Sequence, residues 1–178
     1  MTVSSGQTYL AIPGPSVIPE EVLRSMHRSA PNIYEGELIE ITGSLIPDLN
    51  YVAQSSGHVA IYIANGHGIW EAALSNMVSI GDHILVLATG RFAHGWAEMA
   101  RKMGVKVDIL DFGKDKALDI HILNEKLKSE PKTKYKAILM THVDTSTSVT
   151  NDIASVRKKL DEIGCPALLA VDCIASLA

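Results

Sequence analysis

Cysteine is scarce in this chain. Among its 178 residues there are two, Cys165 and Cys173, and they form neither a CxxC pair nor a disulfide framework. That argues against a small disulfide-stapled secreted module and for a reducing compartment, the cytoplasm. Long apolar runs are also lacking. No segment reaches the ~20 apolar residues of a membrane span, and Met1-Thr2-Val3-Ser4-Ser5-Gly6 shows no basic stretch leading into an apolar one, so no signal peptide is expected. A basic tract is missing too: 16 basic residues face 20 acidic ones, for a net charge of −4. The alternation Lys132/Lys134/Lys136 and the pair Lys158-Lys159 read as solvated surface, which argues against a nucleic-acid partner. His, Cys, Asp and Glu are nowhere grouped at metal-ligand spacing. Internal repeats and low-complexity segments are absent, and no lysine follows Lys159.

A composition of 47% hydrophobic and 20% charged residues fits a soluble globular core, and the length suits one ordinary α/β domain. The chain opens on an arm with Pro13, Pro15 and Pro19, too many prolines for a central strand or a helix. A short helix is predicted from Glu20 to about Arg28. An apolar stripe from Leu38 to Ala53 predicts a second helix, which Pro47 should kink or split. Residues 1–34 are read as arm and short helix, and 35–178 as the large domain. Within the latter, strands are predicted at 58–64, 83–88, 105–110, 135–141 and 167–171. Helices are predicted at 69–78, 92–103, 119–128 and 152–163, and a polar loop at 142–150. Strands alternating with helices of about ten residues indicate a doubly wound, mostly parallel sheet. The run Ala167-Leu168-Leu169-Ala170-Val171 reads as a central strand covered on both faces.

Four places could carry chemistry. Asn65-Gly66-His67-Gly68 joins a predicted strand to a helix; its glycines allow close backbone approach, and the free N–H groups of a helix start suit an anion such as phosphate. A plain tight turn explains it as well. Phe92 sits at the next strand-to-helix junction, where an aromatic either stacks on a flat ring or packs against its own helix; Trp70 and Trp96 read as core or interface. Thr141 to Ser148 is rich in hydroxyls, which either donate to a ligand's polar edge or satisfy a turn. His142 and Asp144 make a weak acid–base pair with no nucleophile in view. Asp172 ends a buried strand, where an acid needs a partner. A helix N-cap is one use; pairing with a protonated pyridine nitrogen, as in pyridoxal phosphate sites, is the other.

In order and spacing, the segments from Pro13-Gly14-Pro15-Ser16 to Val171-Asp172-Cys173-Ile174-Ala175-Ser176 resemble the N-terminal part of class V aminotransferases, and most of all the alanine– and serine–glyoxylate branch. The resemblance implies the large domain of pyridoxal phosphate fold type I, incomplete here, and pyridoxal 5'-phosphate as cofactor. It implies that Asn65, Gly66 and His67 bind the phosphate, that Phe92 and Ile174 face the two sides of the ring, and that Ser146, or its neighbour Thr145, meets the polar edge. Asp172 then takes the ring nitrogen, while Gly14, Pro15 and Ser16 lie toward the substrate and a homodimer partner. The family's Schiff-base lysine would follow the aspartate by a few tens of residues, beyond Ala178, and its substrate arginine later still. The expectation is therefore a transaminase acting on alanine or serine and on glyoxylate or pyruvate, with the 178-residue chain inactive alone. A cysteine desulfurase-like enzyme is the neighbouring alternative, although Asp172-Cys173-Ile174-Ala175 departs from the Asp-x-Ala-Gln of that branch. A non-catalytic phosphate- or nucleotide-binding α/β module is the alternative of another class.

Overall fold

Every long apolar segment that can find a partner strand joins one parallel sheet. The computed structural model describes residues 10–12, 14 and 16–177, and the chain divides into two units between Val59 and Ala60. Helix α1 (Glu20–Met26) begins behind Pro19, and α2 (Glu37–Val52) follows. Helix α2 runs unbroken through Pro47, against the expected split. The proline removes the bond to the carbonyl of Gly43, but no residue of α2 is buried, so water can take that carbonyl.

In the second unit come α3 (Gly66–Met77), β1 (His83–Ala88), α4 (Arg91–Lys102), β2 (Lys106–Asp111), α5 (Ile120–Lys128) and β3 (Ala137–Thr141). The hairpin strands β4 (Val143–Asp144) and β5 (Val149–Thr150) follow, then α6 (Ile153–Ile163) and β6 (Leu168–Asp172). The main sheet is parallel throughout, in the order β2-β1-β3-β6. Strands β1 and β3 are central, and their runs Ile84 to Ala88 and Ala137 to Thr141 are wholly buried. Side chains alternate across the sheet. Ile84, Val86, Ala88 and Leu139 pack under α3 and α4 against Trp70, Leu74, Trp96 and Ala97. Leu85, Leu87, Ile138 and Met140 face α5 and α6 through Leu123, Val156 and Leu160. Helices on both faces make this the expected doubly wound architecture.

Three expectations change. Residues 58–64 form no strand: among the described residues nothing pairs with them, and Ile61, Tyr62 and Ile63 are exposed. Their β-forming side chains alone cannot make a ladder. Among the described residues strand β6 pairs on one side only, with β3, and Leu168 is half exposed. The 142–150 segment contains the β4–β5 hairpin within its loop.

The N-terminal ends of the strands carry a polar cluster. Asp108 accepts hydrogen bonds from the Tyr135 hydroxyl (2.6 Å) and Lys134 Nζ (2.9 Å), and lies 3.1 Å from His83 Nε2. Burial alone would raise the Asp108 carboxyl, but the bonds from Tyr135, Lys134 and His83 outweigh it and hold the group well below the usual carboxylate range. Lys134, bonded to Glu130 and Asp108, is held well above the usual lysine range.

Candidate functional site

Strand order reverses between β1 and β3, and open α/β sheets bind ligands outside the C-terminal strand ends at such a point. The loops leaving β1, β3 and β6 meet there. A polar frame fixes them. Asn151, fully buried, donates through Nδ2 to the Thr89 hydroxyl (2.9 Å) and the Thr141 carbonyl (3.0 Å) and accepts from Leu118 N (2.9 Å). Asp144, also fully buried, caps α4. Its Oδ2 accepts from Phe92 N (2.9 Å) and Ala93 N (3.4 Å), and its Oδ1 from Ser146 N (3.0 Å) and Ser146 Oγ (2.6 Å). The carboxylate lies so close to Gly90 that a Cβ there would come within 2.3 Å of Asp144 Cγ. Ser146 Oγ accepts in turn from Arg91 N (2.9 Å). Thus Ser146 ties the β4–β5 loop to the start of α4, and Phe92 is held half-buried behind it.

Asp144 is not the acid–base partner of His142. The His142 Nδ1 lies 2.9 Å from Ser176 Oγ, and the carboxylate of Asp144 is committed to α4. Neither Asp144 nor Asn151 is legible as framework from its neighbours, because the partners that tie the loops together (Phe92 and Ala93 for Asp144, Thr89 and Leu118 for Asn151) are more than thirty residues away.

Helix α3 starts at Gly66, earlier than the predicted Ile69, because Asn65 caps it: Asn65 Oδ1 accepts from Gly68 N at 3.0 Å and its carbonyl from Ile69 N at 3.2 Å. Gly66 and His67 then form the first turn, and their N–H groups have no partner among the described residues. Such a helix start attracts an anion. A Cβ at Gly66 would lie 2.9 Å from Ile174 Cδ1, so a side chain there would push the exposed Ile174 aside.

Asp172 closes β6. Its Oδ2 accepts from the Trp70 indole N–H (3.0 Å) and its Oδ1 from Ile174 N (2.9 Å). It lines a cavity of about 560 Å³ together with Gly66, Ile69, Trp70, Trp96 and Ile174. Phe92 and His67 line a second cavity of about 620 Å³ with Arg91 and His94. Trp70 is common to both, with His67 edge-on at 4.6 Å and Phe92 at 6.2 Å. The structure therefore brings Gly66, Asp172 and Ile174 to one cavity and His67 and Phe92 to another, with Trp70 lining both. Ser146 stands at the start of α4, and Asn65 at the start of α3. Gly14 and Ser16 belong to the first unit, and Pro15 lies outside the described residues. Cys173 also lines the Asp172 cavity. Burial, then the neighbouring Asp172 charge, raises its thiol above the ordinary value, so it is not a ready nucleophile. Among the described residues no group of His, Cys, Asp and Glu could hold a metal ion, and no helix is long and apolar enough to cross a membrane.

The family described as Aminotransferase class-V matches residues 54–178. Serine–glyoxylate aminotransferases from Methylorubrum extorquens and Arabidopsis thaliana are each 34% identical over 173 residues, which is 97% of this chain and 43% of theirs. A crystal structure of an alanine–glyoxylate aminotransferase from Nostoc sp. superposes with a TM-score of 0.81 at 26% identity, over 93% of this chain and 43% of that one. The chain thus spans less than half the length of these relatives.

Proposed function

The chain belongs to the class V aminotransferase family and has part of the pyridoxal phosphate fold type I large domain, and from that premise we propose that the whole protein is a pyridoxal-phosphate-dependent transaminase. It transfers the amino group of a small amino acid, alanine or serine, to glyoxylate or pyruvate. The names of the relatives, with glyoxylate as common acceptor, support the substrate class. The proposal extends to a cytoplasmic homodimer.

The observation that carries the reading is Asp172, a carboxylate held at a strand end in a cavity that also touches the start of α3. The residues fit the cofactor chemically. Two unpartnered backbone N–H groups at Gly66 and His67, capped by Asn65, suit its phosphate. The close approach of Ile174 to the Cβ-less Gly66 leaves an apolar wall for one ring face, while Phe92, which lines the neighbouring cavity, is assigned to the other face on the resemblance. When bound, pyridoxal phosphate supplies an electron sink for the substrate's α-carbon. Asp172 keeps a proton on the pyridine nitrogen, which deepens that sink. Asn65, Gly66 and His67 anchor the phosphate, and Ser146 or Thr145 offers a hydroxyl to the ring's polar edge. Gly14, Pro15 and Ser16 are assigned to the substrate on the resemblance alone.

Titration of the protein with pyridoxal phosphate, followed by the cofactor's absorbance, tests this reading. Binding that weakens in Asp172→Asn by at least roughly tenfold, the worth of one lost charge-assisted contact, is expected. Equal affinity in the two proteins would remove Asp172 from the site.

A further inference from the structure

Tryptophan is a costly choice at position 70 if packing is its whole purpose. The residue is buried in α3, where a leucine or phenylalanine would fill apolar space without a polar atom to satisfy. Its indole N–H instead donates to Asp172 Oδ2 at 3.0 Å, across 102 residues of sequence. The ring cannot turn freely. Trp96 stacks on it at 5.6 Å with an interplanar angle of 11°, and His67 meets its edge at 4.6 Å. The other carboxylate oxygen is taken by Ile174 N at 2.9 Å. Two donors from two elements therefore set the plane of the Asp172 carboxylate.

We propose that Trp70 is a positioning residue for Asp172, fixing the orientation of the carboxylate through its indole N–H. The role rests on the pyridoxal phosphate reading given above. It also links the two ends of that site. The free N–H groups of Gly66 and His67 and the Trp70 donor lie on one helix, within five residues. A rigid helix rises about 1.5 Å per residue, so it sets the spacing between the phosphate anchor and the carboxylate's anchor. Loss of the indole N–H frees the carboxylate to rotate and leaves one oxygen without its partner.

The Trp70 indole N–H resonance, assigned in ¹H–¹⁵N spectra with Trp70→Phe and Trp96→Phe, reads the contact directly and without cofactor. Asp172→Ala removes the acceptor and is expected to move the Trp70 resonance to higher field, while the Trp96 resonance, whose N–H has no partner among the described residues, stays in place. A Trp70 resonance that ignores Asp172→Ala overturns the proposal. The second readout is pyridoxal phosphate affinity by absorbance titration. Trp70→Phe keeps the stacked ring and removes the donor, and it is expected to raise the dissociation constant roughly tenfold. Trp96→Phe leaves it near wild type, and Trp70→Phe adds little on top of Asp172→Asn. Wild-type binding with no loss in Trp70→Phe refutes the positioning role alone. No binding by the wild type refutes the cofactor reading, and the resonance then decides the contact by itself.

Discussion

Replacing Gly90 by alanine tests the frame behind Phe92. The backbone there is extended (φ 174°), so alanine meets no conformational penalty. The cost is steric. The new Cβ would stand 2.3 Å from Asp144 Cγ and 2.5 and 2.6 Å from its two oxygens. Asp144 cannot swing aside, because it is fully buried and accepts from Phe92 N, Ala93 N and both donors of Ser146. Making room means moving the carboxylate off the start of α4. Overpacking of this kind costs about 1–3 kcal/mol, and each hydrogen bond lost by a charged group about 1.5–3 kcal/mol. Partial relaxation leaves an expected loss of about 3–5 kcal/mol, a large part of a domain's stability. Urea unfolding followed by far-ultraviolet circular dichroism measures it. In an Asp144→Ala background the same change should cost far less, since the obstructing group is gone. A Gly90→Ala loss under about 1 kcal/mol in the otherwise wild-type protein would refute the reasoning, because an average point substitution already costs about that much.

Gly164 ends α6 in the left-handed region (φ 64°), so Gly164→Ala should lower stability by about 1 kcal/mol in the same unfolding assay. Asp108 titrates below its unfolded value. Its contribution is therefore complete above the ordinary carboxylate range and is lost as pH falls below about 4 toward the folded value. Asp108→Asn should be less stable than wild type at neutral pH, and the gap should narrow in acid; unfolding midpoints from pH 7 down to pH 3 would show a constant gap if the cluster contributed nothing.

What the sequence discloses is set by how local its cause is. The bounds of β1 follow from an unbroken apolar run behind Gly81-Asp82, and the C-terminus of α6 from Gly164. The starts of α5 and α6 follow from Asp119 and Asp152, each of which caps its helix through the side chain; the start of α3 at Gly66 is hidden because Asn65-Gly66-His67-Gly68 reads equally as a turn. The segment 58–64 misleads because a strand is a property of a pair, and β-branched residues without a partner remain irregular. The neighbour of β6 is hidden for the same reason: an apolar run states that a strand is covered, not which strand lies beside it. Asp172 was visible as an acid at the end of such a run. Its donor Trp70 was not, since nothing in the surroundings of a tryptophan on a helix distinguishes a hydrogen-bonded indole from a packed one. Asp144 and Asn151 escaped because each satisfies backbone groups on loops brought together only by the sheet.

The account stands most directly on where the cofactor's two ends lie. A crystal structure of the protein with pyridoxal phosphate is expected to place the phosphate against the N–H groups of Gly66 and His67 and the pyridine nitrogen within hydrogen-bond distance of Asp172. A cofactor bound with its ring nitrogen away from Asp172, and its phosphate away from the start of α3, would contradict it.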